Sequence, residues 1–290
     1  MNSHKQMILL AESGSTKTSW KLIDPDGSVK SFSSPGINPV LQRSGQIEED
    51  QAGYLSPIHG EQVDEVYFYG AGCGGTESSG SVREWLSSLF PSATLTVDSD
   101  LIAAAKSLFG DDNGVVAILG TGSNSCYYED GEIKRGVPSL GYILGDEGSG
   151  NQIGSQLIAD YLRGVMPTEI QNFIREQFNI TESSVLTQVY SQPYPNRYMA
   201  SFVAPISKAF GDHRYFQNVL ESQFRAFFDN CLSKYSELGY CQIGFVGSIA
   251  YHFRPMLKKL CEVYEFDLRA VNEKPIDQLI EYIKTNQKTH

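Results

Sequence analysis

Apolar positions along the chain come in short runs separated by small and polar residues, and the first such run opens a pattern that returns later. Met7 to Ala11 (MILLA) reads as a buried strand, followed by the small-residue loop ESGSTKT, a strand SWKLI, the turn DPDG and a third strand SVKSF. The same order returns between Val115 and Arg135 as VVAIL, GTGSN, SCYYE, a turn at Asp130 and Gly131, and EIKR. Gly14 and Gly120 occupy the same point of the two copies. Their separation is too long for a solenoid unit and predicts two related domains facing each other. The run GDDNG (residues 110–114) marks the boundary, giving domains 1–112 and 113–290.

Between the copies, SSPGINP is a loop by its two prolines and its glycine, and it holds Asn38 between Ile37 and Pro39. The strand EVYFYG leads into GAGCGG and a helix predicted over 81–90, with Val82, Trp85, Leu86 and Leu89 on one face. The strand TLTVD then precedes a helix over 100–109. Beyond the second copy, GDEGSG opens a helix running to residue 163, and Thr168 with Gln171 has the spacing of a capping box. Residues 216–235 carry Leu220, Phe224, Phe227, Phe228, Cys231 and Tyr235 at helical spacing, a core stripe. The chain closes with the strand CQIGFV, a helix from GSIA to about residue 260, the strand YEFDLRAV and a helix begun by Pro275.

With 290 residues, 41% of them hydrophobic and 20% charged, the chain has ordinary globular composition and room for two cores. Its formal net charge of −11 opposes nucleic-acid binding, which draws on Lys and Arg, and leaves ATP open because backbone N–H groups and Mg²⁺ act locally. The apolar run before Glu12 is too short for a signal peptide, and no stretch reaches membrane-spanning length, so a membrane partner is not expected. The five cysteines are odd in number and contain no CxxC, which argues against a disulfide framework or a zinc site and for a cytoplasmic setting.

Loops of Gly, Ser and Thr at strand ends let backbone approach a ligand and aim N–H groups at an anion. One such loop alone is a tight turn; two matched loops, bearing the hydroxyls of Ser13, Ser15, Thr16, Thr18, Thr121 and Ser123, suit the two ends of a triphosphate. GAGCGG satisfies GxGxxG at Gly70, Gly72 and Gly75, but TESSG stands between it and the predicted helix, leaving a dinucleotide site as a minority reading. Asp98 and Asp100 lie where a strand enters a helix. One of the pair suits an N-cap and the other a catalytic position in the crevice at the strand ends, with Asp98 at the strand end and Asp100 the catalytic candidate. Asp146 and Glu147 pose the same choice between macrodipole complementarity and ligand contact.

LAESGSTKTSW, GTGSNS, GDEGSG and GFVGSIA, in this order, resemble the N-acetylglucosamine kinase and BadF/BadG-type ATPase group of the sugar kinase, Hsp70 and actin superfamily, over nearly the whole chain. The resemblance implies an α/β fold of two ribonuclease-H-like (actin-like ATPase) domains across a nucleotide and sugar cleft. It assigns Gly14, Ser15, Thr16 and Lys17 to one phosphate loop and Gly120, Thr121, Gly122 and Ser123 to the other, with Gly247 and Ser248 at the nucleoside. It makes Asp100 the catalytic aspartate, and Asn38, Gly122 and Asp146 sugar contacts. The chain departs from the family pattern at Glu12 and Ser19, where relatives carry Asp, and at Leu140, where N-acetylglucosamine kinases place a Trp beside the sugar.

The implied activity is transfer of the γ-phosphoryl group of ATP, with Mg²⁺ near Glu12, to a hydroxyl of an amino sugar. O6 of N-acetylglucosamine or N-acetylmuramic acid is the expected acceptor, glucosamine the alternative, and a homodimer is compatible with the resemblance. A rival implied by BadF-type relatives is an ATPase that activates a redox partner through an iron–sulfur cluster held by cysteines at a dimer interface; Cys73 and Cys126 are the cysteines near the motifs. A sugar sensor on the same fold would need a DNA-binding module for which the chain has neither room nor charge.

Overall fold

The computed structural model describes residues 6–42, 45–58, 60–239 and 241–286. The first hairpin pair forms β1 (Ile8–Ser13), β2 (Lys17–Ile23) and β3 (Val29–Pro35), joined by β4 (Glu65–Gly70) and β5 (Thr94–Ser99). They make a five-stranded sheet in the order β3-β2-β1-β4-β5, antiparallel across the hairpins and parallel from β1 to β5. The second copy forms β6 (Gly114–Leu119), β7 (Ser123–Glu129), β8 (Glu132–Gly136), β9 (Gln242–Val246) and β10 (Asp267–Asn272), in the order β10-β9-β6-β7-β8. The connectivity and the mixture of parallel and antiparallel pairs repeat those of the first sheet. β1 and β6 are central and read as continuous apolar runs, as parallel strands covered on both faces do. At the second hairpin turn Asp130 and Gly131 both have positive φ, the conformation that a tight Asp-Gly turn supplies.

Each sheet has its own core. In the first, the fully buried Trp20 stacks on Phe32 at 5.9 Å between ring centroids, meets Trp85 edge-on and donates its indole N–H to Ser34 Oγ at 2.8 Å. In the second, Phe216, Phe224, Phe227 and Phe228 bury one face of the helix Arg214–Asn230. That helix stops at Cys231, and a 3₁₀ helix Leu232–Leu238 follows, so the apolar stripe read as one helix is two elements. The break points Tyr235 inward, where its hydroxyl accepts from the Val137 N–H at 3.2 Å and bonds Ser125 Oγ at 3.1 Å.

Four other details differ from the sequence expectations. The helix Thr76–Leu89 begins directly after Gly75, so GAGCGG does open a helix; the sheet order is nonetheless that of the repeated hairpin unit and not of a dinucleotide fold. Thr168 is the first helical residue behind Pro167, and Gln171 bonds Met166 O at 2.6 Å, whereas the capping box forms at Thr181 and Ser184. The helical stretch after GSIA divides into Ser248–His252 and Arg254–Val263.

The fourth concerns the chain's end. One compact unit holds the described residues up to Asp112 together with those from Lys274 onward, and the other spans Asn113–Glu273. The final helix, Ile276–Asn286, buries Ile276, Leu279, Ile280 and Ile283 and packs on the helix Asp100–Phe109 and on β1. An apolar stripe states that a helix is covered, not by what. Hence the sequence division placed 274–290 with the second domain and the contacts place its described part with the first. Among the described residues no helix is long and apolar enough to cross a membrane.

Candidate functional site

In the first unit the loop after β1 turns back at Gly14, whose N–H donates to Lys17 O at 3.0 Å, and leaves Thr16 and Lys17 exposed. The loop is fastened from below. Ser13, fully buried, lies 2.7 Å from Thr18 Oγ1, and its Oγ donates to Ile37 O and accepts from the Ile37 N–H. The Gly36 N–H donates to Thr16 O at 3.0 Å, and a Cβ on Gly36 would overlap the backbone of Gly14, Ser15 and Lys17. This loop-on-loop contact carries Asn38 to the phosphate-loop candidates: its Nδ2 reaches Ser15 Oγ at 3.5 Å.

The carboxylates come from the ends of β1 and β5. Register sets Glu12 opposite Tyr69 and Tyr69 opposite Asp98, so these side chains share one face of the sheet; Ser19 of β2 also stands opposite Glu12. Neither aspartate is the N-cap. Ser99 caps the helix Asp100–Phe109, accepting from the Leu101 N–H at 3.1 Å, while Asp98 Oδ1 accepts from the Ser99 N–H at 2.7 Å. Asp100 is thereby released from capping, and its Oδ1 accepts from Ser99 Oγ at 3.3 Å. Burial pushes the Asp100 carboxyl up to about 6 against the pull of these hydrogen bonds. Burial and the neighbouring Asp100 push Glu12 up to about 7, with Lys274 pulling the other way.

In the second unit the loop after β6 is bound to GDEGSG. Gly150 N–H donates to Gly120 O at 2.8 Å and Asn151 N–H to Thr121 O at 3.0 Å, while Ser149 caps the helix Gly150–Leu162. Asp146 sits at φ 61°, an unusual conformation for a non-glycine residue, and its Oδ1 accepts from the Ser123 N–H at 3.2 Å. A Cβ on Gly122 would come within 2.9 Å of Asp146 Oδ2, so the loop glycine gives the carboxylate its place. Burial first, and Glu147 after it, push Asp146 up to about 6. Gly247, at φ 117°, lies against Leu119 O and Gly120 N, donates its N–H to Asn272 O and precedes the exposed Ser248.

A pocket of about 80 Å³ opens beside Asp146, lined among others by Ser123, Asn124, Leu140, Glu147, Asn230 and Cys231. Leu140 is 58% exposed. Asn230 donates to Glu147 Oε1 at 2.9 Å, and the Cys231 thiol is pushed up to about 11 by burial and by the two carboxylates. The expected residues therefore gather in two groups. Glu12, Gly14, Ser15, Thr16, Lys17, Asn38 and Asp100 belong to the first unit, and Gly120, Thr121, Gly122, Ser123, Leu140, Asp146, Gly247 and Ser248 to the second. Sequence reasoning missed Gly36, Glu147 as a wall of this pocket, Asn230, Cys231 and Lys274. Asn230 and Cys231 stand at the end of a core helix, and nothing local marks them.

Among the described residues no group of three or more His, Cys, Asp or Glu is placed to hold a metal. Asp100 lies close enough to raise the cost of ionising Glu12, which a divalent cation would offset, and Mg²⁺ takes one or two carboxylates with water and phosphate oxygens in place of an all-protein cage. The residues fit such an ion. Cys73 and Cys126, the candidate cluster ligands, are both buried, one in each unit.

No protein-family model and no curated protein matches the chain. Among solved structures it is similar to the "Putative N-acetylglucosamine Kinase" of Porphyromonas gingivalis, at 34% identity and a TM-score of 0.89, covering 97% of this chain and 100% of that one. A protein of the same description from Chromobacterium violaceum matches at 17% identity and a TM-score of 0.67, over 96% and 99% of the two chains. MreB 5 of Spiroplasma citri, bound to AMPPNP, matches at 12% identity and 0.60, over 98% and 96%. The last two likenesses concern the fold alone.

Proposed function

The chain belongs to the N-acetylglucosamine kinase family of actin-like, two-domain sugar kinases, and from that premise we propose that it transfers the γ-phosphoryl group of ATP to O6 of an amino sugar. Asp100 accepts the O6 proton as the new P–O bond forms and the bond to the β-phosphate oxygen breaks, releasing ADP. A base poised near 6 is ionised at neutral pH and still basic enough to draw a proton in the transition state. Backbone N–H groups of the Gly14 and Gly120 loops hold phosphate oxygens, and Lys17 adds a positive charge at the first loop. Glu12 would hold Mg²⁺, which when bound would supply charge neutralisation for the transferred phosphoryl group. Gly247 and Ser248 contact the nucleoside.

Asn38 and Asp146 bind sugar hydroxyls, and the pocket beside Asp146 receives a substituent of the ring. That pocket joins the exposed apolar Leu140 to two carboxylates, Asp146 and Glu147. A neutral acetamido group suits it. A lactyl carboxylate meets like charge there, so N-acetylglucosamine is the preferred acceptor, with N-acetylmuramic acid turned over more slowly and glucosamine the alternative.

The observation that most supports this reading is the pair of half-buried carboxylates formed by Glu12 at the end of β1 and Asp100 directly past β5, close enough for Asp100 to push Glu12 up, with Ser99 taking the helix cap in place of Asp100. The test is coupled ADP release over N-acetylglucosamine, N-acetylmuramic acid, glucosamine and glucose. A clear preference for glucose over the amino sugars would remove the amino-sugar assignment, and ADP release independent of every sugar would remove the kinase.

A further inference from the structure

GAGCGG, whose glycine spacing imitates a dinucleotide fingerprint, has a different use in this fold. The Ala71 N–H fixes the loop to the end of β1 by donating to Ser13 O at 2.8 Å, and the Cys73 N–H closes it on Gly70 O, the end of β4, at 3.1 Å. Gly72 stands at φ 80°, and the Asn38 Oδ1 rests where its Cβ would be. The same Cβ would approach Val40 Cγ2 at 3.1 Å.

The Asn38 carboxamide is held more tightly at its oxygen than at its nitrogen. Its Oδ1 accepts from the Val40 N–H at 3.1 Å, closing an Asx turn, and the turn continues with Leu41 and Gln42 N–H groups on Asn38 O. Its Nδ2 points to Ser15 Oγ at the long distance of 3.5 Å, which leaves donor capacity for a ligand. The oxygen can keep this position only while residue 72 has no side chain.

We propose that Gly72 is a positioning residue of the sugar site: its missing Cβ gives the Asn38 carboxamide the space to hold its oxygen on Val40 and present its nitrogen to the sugar. The proposal rests on the reading of Asn38 as a sugar ligand. The group in the way of a new Cβ is the tip of a flexible side chain, so the carboxamide rotates before the backbone yields. Rotation breaks the Asx turn and turns the donor away.

Kinetics with N-acetylglucosamine and ATP test this. Gly72→Ala raises the sugar KM about tenfold, the scale of one lost hydrogen bond, with kcat and the ATP KM each changed less than about threefold. Alanine at positive φ also carries a backbone cost, and Gly53→Ala controls for it: Gly53 has φ 79° and nothing within 4 Å of a Cβ. That control lowers Tm as Gly72→Ala does and leaves the sugar KM unchanged. Gly72→Asn, which tolerates the left-handed backbone better while carrying the same Cβ, gives the same KM shift if Gly72→Ala folds poorly. Asn38→Ala raises the sugar KM to a similar extent, and combining it with Gly72→Ala adds nothing further. An unchanged sugar KM in both position-72 variants, or full additivity with Asn38→Ala, overturns the proposal. An unchanged sugar KM in Asn38→Ala alone removes the sugar-ligand reading itself, and the proposal with it.

Discussion

At the end of β1 the chain places Glu12 and Ser13 before its glycine; at the same point of the second copy, the end of β6, it places Ile118 and Leu119 before Gly120. The last strand of each sheet ends on a polar residue, Ser99 in one and Asn272, whose carbonyl holds the Gly247 N–H, in the other, and each is followed by an acid, the half-buried Asp100 in the first and the exposed Glu273 in the second. Both copies keep an apolar central strand, a small-residue loop and a second segment packed under that loop. Only the first sets an acid at the end of its central strand and shelters the one that follows its last strand. The second receives its acid, Asp146, from a loop at the head of the helices inserted between β8 and β9. A frame built by burial and turn chemistry can thus be copied without copying its chemistry, because the strand-end side chains contribute little to the sheet itself.

The sharpest way to break the contrast is to remove the acid with which the first copy is proposed to act. Asp100→Asn lowers kcat by about a hundredfold or more while sugar and nucleotide binding stay measurable, the lower range for loss of a positioned general base. Asp98→Asn, whose Oδ1 can still accept from the Ser99 N–H, does much less. Turnover and sugar affinity of the two variants side by side decide it; an active Asp100→Asn with an inactive Asp98→Asn would reverse the assignment of the pair.

The glycine under each loop tests what the copies share. Gly36→Ala forces a Cβ into Gly14 O and the backbone of Ser15 and Lys17, and Gly247→Ala forces one into Leu119 O and Gly120 N. Backbone cannot rotate aside, so each variant loses about 1–3 kcal/mol and raises the ATP KM. Urea unfolding and ATP titration of both proteins measure this. If one variant is neutral in both, the two loops are not held alike.

A smaller effect separates the copies by pH. A carboxyl held above its unfolded value keeps its proton longer in the folded state, so its contribution is fully present below the unfolded pKa and lost as pH rises through the folded one. For Asp146 and Asp100 that window runs from 3.8 to about 6, and for Glu12 from 4.5 to about 7. In chelator the apparent Tm falls between about pH 6 and 7.5, chiefly through Glu12. Glu12→Gln removes most of that fall and blunts the rise in Tm on adding Mg²⁺, whereas Asp146→Asn changes neither. An unaltered pH slope in Glu12→Gln would take that carboxylate out of the buried pair.

The repeated frame was legible because each strand carries its own apolar run and each hairpin its own turn residues. The motifs of the candidate site were legible for the same local reason, as glycines and hydroxyls at strand ends. What failed depended on neighbours distant in sequence. Ser99, between two aspartates, took the cap because the helix starts one residue past it, and nothing local ranks three adjacent capping residues. The final helix shows an apolar stripe that suits either core. Gly72 read as part of a phosphate-binding fingerprint because the spacing of glycines records that space is needed, while the occupant of the space, Asn38, lies in another loop.

Leu140 gives the smallest expected change and bears on the second copy alone. It is 58% exposed on the wall of the pocket beside Asp146, so it removes little surface from water and contributes little to binding. Leu140→Trp adds a flat apolar face and an N–H donor while reducing the open volume. The face favours a sugar ring, and the lost volume counts against bulk at O3. The variant should therefore raise kcat/KM for N-acetylglucosamine by less than about tenfold and lower it for N-acetylmuramic acid, so that the ratio of the two moves further than either value. Glucose, without an acetamido group to fill the pocket, should gain least. Steady-state kinetics on the three sugars before and after the substitution provide the measure. A ratio that does not move would mean that residue 140 does not border the bound sugar, and the substituent would then have to be read by Ser123, Asn124 and the two carboxylates without it.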